Sequence, residues 1–415
     1  MAAADAQLFW MSAKVPNDQF LLFGFDGAPD DVDGAVAELR RRAQSCGELR
    51  LRVIDDVACR FPRWRSGEVE PDQLVVAEHP GDWQGCLDAV ARLDQLDARR
   101  MAWRAHVFAG IGGIPGVTGP GSVVVVQMSH ALGDGSRSAA LAGALLGRAE
   151  PVPAGGAPDG GCLPRRAVTA ARAHRRLVRD TEAGLVPPPG RNRLPLSVND
   201  RPGEHTVVRT AAVHRDLLPG PTVTVGALVV IAEALSGYLA ERGEDVTQLG
   251  AEVPMTGPGE RNAHNNFRSV GVGLYAQLER GARAEPIARE LAGHRRRGAH
   301  PAMRASAAAF AAVPPVLLRW GIGQFDPGRR SAVVSGHTVV SSVNRGPADL
   351  SFGGCPVVLT AGYPALSPMM SLTHGVHGIG DVLAISVHAD PVNVDVDDYL
   401  RRLRSALGIN PRGRA

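Results

Sequence analysis

Residues 129–135 (SHALGDG) combine residue types that can carry out acid–base chemistry. A neutral imidazole, with a reference pKa of about 6.5, can take the proton of a hydroxyl, amine or thiol at physiological pH. A base placed in this way typically accelerates a reaction by roughly 10²- to 10⁴-fold. We therefore predict that His130 is a general base and that Ser129, which precedes it, supports the same motif.

The residues after His130 have types that suit a tight loop at the start of a helix. Asp134 is ionised at neutral pH and can accept backbone N–H groups or pair with an arginine from elsewhere in the chain. We predict that its carboxylate holds the loop and fixes the imidazole. Gly133 and Gly135 are expected to permit backbone conformations closed to other residues, and the close approach of a ligand or strand.

These residues need regular elements on both sides to position them. Residues 122–128 (SVVVVQM) form a β-branched, apolar run of strand length, which predicts a central, buried strand. Residues 136–146 have helical spacing, and Ser136 can serve as the N-cap. The predicted order is buried strand, tight loop, helix.

Other readings of His130 remain open at this point. A histidine at the end of a strand is often a structural residue whose hydrogen bonds are satisfied in the core. Metal binding is disfavoured because zinc sites usually need a third protein ligand, and the sequence contains no HExxH or paired-cysteine pattern. The glycine-rich run 110–116 precedes no helix, which argues against a phosphate cradle. No metal or permanently bound cofactor is expected.

The composition limits the classes of protein to which the chain can belong. The chain of 415 residues is 44% hydrophobic and should divide into two lobes. Its formal charge of +3 disfavours nucleic-acid partners and favours small molecules. Its basic residues are arginine except for Lys14, which together with abundant alanine and glycine is typical of GC-rich bacterial codon usage.

The cysteines and the apolar runs bear on the cellular location. The five cysteines are odd in number and widely spaced, so neither a disulfide framework nor a zinc ribbon is indicated. No secretion signal or transmembrane segment is expected from the apolar runs. We expect a cytoplasmic protein, with peripheral contact to a membrane or lipid body left open.

The predicted organisation is an N-terminal lobe over 1–150, a crossover linker rich in Pro, Gly and Arg over 151–205, and a C-terminal lobe over 206–415. Helices are predicted at 35–43, 86–96, 167–180, 224–240, 285–297 and 395–407, and further strands at 206–213, 370–377 and 382–388. Residues 256–266 are predicted to form a loop rich in Gly and Asn.

Several polar residues near the end of the chain were considered as site residues. His374 and His377 should lie on opposite faces of a strand, whereas His388 and Asp390 share a face. Structural roles are preferred for all four. Asn344 is predicted to lie on a loop, where its amide could orient a thioester or could simply form a turn.

Residues 129–135 at the end of an apolar strand resemble the HHxxxDG motif of condensation-type acyltransferases. More closely, the chain resembles the bacterial wax ester synthase/diacylglycerol acyltransferase family, within the chloramphenicol-acetyltransferase-like superfamily. Supporting matches follow in the family's order at 16–21 (PNDQFL), 96–103 (LDARRMAW), 198–200 (VND) and 344–347 (NRGP), and in the closing strands up to Asp390.

The resemblance implies an α/β (α+β) fold of two lobes, each a mixed sheet with flanking helices, and a channel between them. It implies an acyl thioester, commonly acyl-CoA or an acyl carrier protein, as co-substrate and a hydroxyl or amine acceptor that His130 deprotonates. Ser129 replaces the motif's first histidine, and Gly226-Ala227 replace an Asn-Asp pair, which leaves the acceptor open. A condensation-like domain acting on carrier-bound substrates and a non-catalytic acyl-binding relative are the alternatives.

Overall fold

The computed structural model of the chain describes residues 1–77, 81–156, 161–257 and 261–409. The strands in chain order are β1 (Gln19–Phe25), β2 (Leu51–Ile54), β3 (Arg63–Ser66), β4 (Leu74–Val76), β5 (Trp103–Ile111), β6 (Gly121–Met128), β7 (Val207–His214), β8 (Gly250–Thr256), β9 (Phe267–Gly273), β10 (Thr338–Asn344), β11 (Ser351–Phe352), β12 (Cys355–Tyr363), β13 (Leu372–Ile379) and β14 (Val382–Ala389). The helices are α1 (Ala3–Ser12), α2 (Val32–Ser45), α3 (Trp83–Ala91), α4 (Gly135–Leu145), α5 (Leu163–Glu182), α6 (Val223–Ala240), α7 (Ala284–Ala299), α8 (Pro301–Ala311), α9 (Pro315–Gly323) and α10 (Val396–Ala406).

Two large sheets dominate the described part of the chain. The first has the strand order β11-β12-β1-β6-β5-β4, and the second has the order β7-β14-β13-β10-β8-β9. Most neighbouring strands are antiparallel, but β4 pairs with β5, and β10 with both β8 and β13, in parallel. Helices flank both sheets, which confirms the predicted two-lobed α/β architecture.

The two sheets do not divide along the predicted boundary in sequence. Strands β11 and β12 belong to the first sheet, and β12 pairs with β1 in antiparallel register from Phe20↔Tyr363 onward. The predicted C-terminal lobe of 206–415 is therefore wrong for this segment, which returns to the N-terminal lobe. Leu359 and Ala361 of β12 are buried in an apolar cluster with residues of β1, β5 and β6 of the first sheet, which Val208 and Ala384 of the second sheet also join.

The predicted crossover of 151–205 contains the 20-residue helix α5, whose predicted extent was 167–180. It packs against α8 of the second half of the chain. Residues 157–160 of the crossover lie outside the described residues, as do 258–260 of the loop that joins β8 to β9. The last two strands are joined by the predicted tight turn, in which Gly380 has a positive φ of 55°.

Strand β6 is buried along its whole length, as its β-branched run predicts. A 3₁₀ turn over His130–Leu132 follows it, and α4 begins at Gly135. The N-cap is Asp134, whose Oδ1 accepts the backbone N–H of Arg137 at 3.1 Å. The prediction of Ser136 as the cap is wrong, because the aspartate two residues earlier accepts the free N–H of Arg137.

Helix α6 is the core helix of the second lobe. It is long and apolar enough to cross a membrane, with a mean hydropathy of 1.8, but 67% of it is buried inside the protein. It packs against α10, and the rings of Tyr238 and Tyr399 meet edge to face at 5.5 Å. Its apolar character is thus accounted for by packing within the fold.

Candidate active site

His130 lies at the wall of a cavity of about 420 Å³ between the two lobes. Its ring stacks on that of Phe267, with centroids 5.3 Å apart and planes inclined by 27°. Phe267 is the first residue of β9, so the second lobe supplies one side of the pocket that holds the imidazole. The remaining wall includes apolar side chains of both lobes, among them Phe20, Leu21 and Val339.

The side chain of Asn265 fixes which nitrogen of His130 carries the proton. Its Nδ2 donates to Asp5 Oδ1 at 3.0 Å and to the backbone oxygen of His130 at 2.9 Å. Because the amide nitrogen faces two acceptors, the amide oxygen faces His130 Nδ1, 3.1 Å away. Nδ1 must then be the donor, which leaves a lone pair on Nε2 that could accept a proton.

Asp5 anchors this arrangement from the first helix. Its carboxylate also accepts the backbone N–H groups of His264 at 3.1 Å and Asn265 at 2.9 Å. The side chain is buried, which raises the pKa of Asp5, and these hydrogen bonds oppose that effect. Hydrogen bonds therefore connect Asp5 to Asn265, and Asn265 to the imidazole of His130.

The imidazole is held in its neutral form. Burial lowers the pKa of His130, an effect that outweighs its hydrogen bonds and the charge of Asp134. A base must be unprotonated to accept a proton, so the surroundings favour the state that general-base chemistry needs at physiological pH.

Asp134 holds a loop of the second lobe and makes no direct hydrogen bond to the His130 ring among the described residues. Its carboxylate accepts from Arg261 Nη1 at 2.9 Å, from the backbone N–H of Asn266 at 2.9 Å, and from the hydroxyl of Ser136 at 2.8 Å. Burial would raise the pKa of Asp134, but these donors outweigh burial and lower it. Because residues 261–266 carry Asn265, Asp134 positions the imidazole indirectly.

The two glycines of the motif are needed for close packing. Gly133 has an extended φ of 173° and Gly135 is the first residue of α4, so the predicted special backbone conformations are wrong. A Cβ on Gly135 would lie 2.8 Å from Val343 Cγ2 of β10, and one on Gly133 would lie 2.9 Å from the Arg137 side chain. The absence of a side chain at Gly135 lets β10 of the second lobe approach the motif, and its absence at Gly133 makes room for the Arg137 side chain of α4.

Ser129 and Asn344 are less closely associated with the cavity than His130 is. Ser129 is buried, and it does not line the cavity that His130 lines. Asn344 is exposed at the rim, where its Oδ1 accepts the backbone N–H of Gly346 at 3.0 Å. The side-chain oxygen of Asn344 therefore forms a turn, as one of the two interpretations predicts, and the residue also lines the cavity.

Three of the four polar residues near the C-terminus have structural partners. His374 contacts Thr338 and Tyr399 through its two ring nitrogens, and His388 Nδ1 lies 2.9 Å from the oxygen of Pro364. Asp390 accepts backbone and side-chain N–H groups of its own turn. His377 lines the same cavity as His130, and its Nδ1 has no partner among the described residues. The Nε2 of His388 also lacks a partner there, and His388 lines a neighbouring cavity.

A second cavity, of about 590 Å³, adjoins the first between the lobes. The two share lining residues, namely Asp18, Phe20, Tyr363 and Ala365. Asp18 is buried, and burial raises its pKa to about 6. The two cavities therefore meet at Phe20 and Tyr363, and His130 lines the first of them.

Sequence reasoning missed Asp5, Asn265 and Arg261. Asp5 lies in α1, for which the sequence analysis predicts no helix. The asparagines of 262–266 indicate only a loop. The signal present was composition: three asparagines and two basic side chains within 261–266 are more than a turn requires.

Solved structures with a similar fold are known. The wax ester synthase/diacylglycerol acyltransferase from Marinobacter aquaeolei VT8 superposes with a TM-score of 0.61 at 16% identity, covering 98% of this chain and 97% of that chain. This chain has the two-lobed fold of that protein. A mutant starter condensation domain of rhizomide synthetase, in complex with C8-CoA and Leu-SNAC, gives a TM-score of 0.56 at 15% identity and covers 98% and 92%.

A further structure of that condensation domain, in complex with C8-CoA, gives a TM-score of 0.56 at 16% identity and covers 99% of this chain and 94% of that chain. No protein-family description and no curated protein sequence matches this chain. The shared fold therefore confirms the structural expectation, while the chemistry must be argued from this chain's own residues.

Proposed function

We propose that this protein transfers an acyl group from an acyl thioester, such as acyl-CoA, to a hydroxyl or amine acceptor. The observation that carries the proposal is the fixed tautomer of His130, with Nδ1–H bound to Asn265 and the Nε2 lone pair left for a substrate. The neutral state favoured by burial and the position at a cavity between lobes support the same role.

In the proposed reaction, His130 Nε2 takes the proton of the acceptor as its oxygen or nitrogen attacks the thioester carbonyl. The tetrahedral intermediate then collapses with cleavage of the carbon–sulfur bond. The departing thiolate receives the proton from the imidazolium, which restores the neutral base and releases a free thiol. Neither a covalent acyl-enzyme nor a metal takes part in these steps.

The similar structures support the class of donor. One bears the name of a wax ester synthase/diacylglycerol acyltransferase, and the condensation domain was solved with C8-CoA. We propose acyl-CoA as the donor on that basis, together with the space beside His130. An O-acyltransferase is the first choice, and the condensation-like alternative differs in using a carrier-bound thioester.

The test is the release of free thiol from acyl-CoA thioesters of several chain lengths, in the presence of alcohols and amines. His130→Ala should lower kcat/KM by roughly 10²- to 10⁴-fold. His174→Ala, a change at an exposed position of α5, serves as the matched control and should retain the wild-type rate. Equal rates for wild type and His130→Ala would remove the histidine from the mechanism.

Two further outcomes separate the alternatives. Turnover only with thioesters attached to a carrier protein or its pantetheine arm would favour the condensation-like reading. Saturable binding of acyl-CoA without thiol release under any acceptor would establish the non-catalytic reading in place of the enzyme.

A further inference from the structure

The same cavity contains a second polar cluster that the proposed proton transfer does not use. It consists of Arg345, directly after β10, and His377 on β13. Both residues line the cavity, and both are at least 95% buried, with exposures of 4% and 5%. Their side chains converge on Gly362 of β12, where a Cβ would lie 2.6 Å from Arg345 Nη2 and 2.8 Å from His377 Cε1.

Arg345 is a buried cation without a counterion. Its Nη1 donates to the backbone oxygens of Leu22 at 3.3 Å and Ala361 at 2.7 Å, and to the hydroxyl of Thr360. Its Nε is buried without a partner, and no carboxylate of the described residues forms an ion pair with it. Burial lowers its pKa to about 9, so it stays protonated at neutral pH.

His377 faces the same space from β13, the strand that pairs with β10 in the second sheet. Strand residues alternate in direction, and His374 of β13 points to the opposite side, toward Tyr399 of the lobe's own core. His377 therefore faces the first lobe, with Nδ1 unpartnered. Burial, together with the charge of Arg345, lowers its pKa well below the ordinary value. The ring is thus neutral and can supply one N–H donor.

The pair is costly unless a ligand completes it. Arg345 has its Nη1 acceptors and the Phe23 ring, 5.3 Å away, but no counterion in the described part of the chain. A buried charge without a counterion is destabilising, and an unpaired buried donor adds further cost. Arg193 shows the contrast: it is also buried, but its Nε and Nη1 donate to the backbone oxygens of Gln248, Arg191 and Ser335. Arg345 alone of the two has its Nε without an acceptor and lies at the cavity between the lobes.

We propose that Arg345 and His377 form a subsite for a carboxylate, so that one of the substrates admitted to this cavity carries a carboxylate group. A singly charged carboxylate matches one guanidinium and one neutral imidazole N–H, whereas a phosphate dianion would leave a negative charge in the buried site. The place of this carboxylate in a reaction rests on the proposed acyl transfer; the subsite itself does not.

Two sources of the carboxylate are distinguished by experiment. The first arm compares glutaryl-CoA with pentanoyl-CoA, which has the same chain length and no terminal carboxylate, using a neutral alcohol as acceptor. The second compares 3-hydroxybutyrate with its methyl ester as acceptors for pentanoyl-CoA. We expect wild type to prefer the carboxylate in one arm, and Arg345→Met to lower that preference by about 10- to 100-fold, the loss expected for a hydrogen bond to a charged group.

Arg193→Met is the matched control. It removes another buried arginine, one that does not line this cavity, and should leave the carboxylate preference at the wild-type value. His377→Gln provides a second variant that keeps a polar group, and it should lower the preference less than Arg345→Met. No preference in either arm of the wild type, or a preference that survives Arg345→Met, overturns the subsite.

Direct binding separates this proposal from the function on which it rests. Glutarate should raise the midpoint of thermal unfolding of the full chain, and 1,5-pentanediol should not. If Arg345→Met does not fold, the effect of glutarate should be smaller in His377→Gln than in wild type. Stabilisation by glutarate without thiol release from any thioester would retain the subsite and reject acyl transfer. Turnover of pentanoyl-CoA with no effect of glutarate, or stabilisation by inorganic phosphate in preference to glutarate, would reject the carboxylate subsite and retain acyl transfer.

Discussion

A substitution of Asn265 tests the proposed role of His130 as a base without changing the histidine itself. Asn265→Ala removes the acceptor of His130 Nδ1 at 3.1 Å, so the imidazole can place its proton on either nitrogen. Loss of a hydrogen bond to a buried group costs about 1 to 3 kcal/mol. Expressed as an activation barrier, this lowers kcat by roughly 5- to 150-fold.

The assay is steady-state thiol release with acyl-CoA and an active acceptor. We expect kcat to fall while the KM for the thioester stays near that of wild type, because Asn265 contacts the base and His130's own backbone. Asn265 also raises the pKa of His130, so the variant's acid limb of kcat/KM should move to lower pH. A merely structural role would shift the unfolding temperature without moving this limb.

Asn266→Ala is the matched control. Its backbone N–H to Asp134 is retained, and the change removes only the 3.4 Å contact between its Nδ2 and Gly257. If folded Asn265→Ala had the same kcat and pH profile as Asn266→Ala and wild type, the tautomer argument would be refuted.

Three further predictions follow from the same geometry. The acid limb of kcat/KM for wild type should have its midpoint below pH 6.5, since burial lowers the pKa of His130 and activity is lost as pH falls through it; a pH–rate profile with a midpoint above 6.5 would contradict this. Gly135→Ala should lower the free energy of unfolding by about 1 to 3 kcal/mol, because the new Cβ would lie 2.8 Å from Val343. Gly237→Ala in α6 is the control: its Cβ would lie 3.6 Å from the nearest atom, so it should raise the free energy of unfolding by about 0.5 to 1 kcal/mol. Urea titration measures both free energies, and equal effects would disprove the packing argument. Arg261→Met should lower kcat by roughly 10-fold, an effect of about 1.5 kcal/mol, by freeing the loop that carries the amide; unchanged thiol release by the folded variant would show that the loop is held without this ion pair.

Local pattern in the sequence determined much of the architecture. The β-branched run before the motif predicts the buried strand β6, and helical spacing predicts α2, α4, α6, α7 and α10 within a few residues of their ends. These predictions succeed because hydrophobic periodicity and capping act over a few residues. His130 could also be chosen from its residue type and its position after a strand.

Longer-range features could be placed only by the folded chain. The return of β12 to the first sheet depends on pairing between residues such as Phe20 and Tyr363, which local periodicity does not encode. Asp134 caps α4 through a local contact, whereas its ion pair with Arg261, 127 residues away, depends on the packing of the two lobes.

The chemistry of the base shows the same division. The sequence alone determined that an imidazole stands at the exit of a buried strand, next to an aspartate that can hold a loop. Tertiary structure decided its tautomer, because Asn265 lies 135 residues from His130 and Asp5 lies 260 residues from Asn265. Contacts at such separations arise from the packing of the two lobes, and no spacing within a single chain segment predicts them.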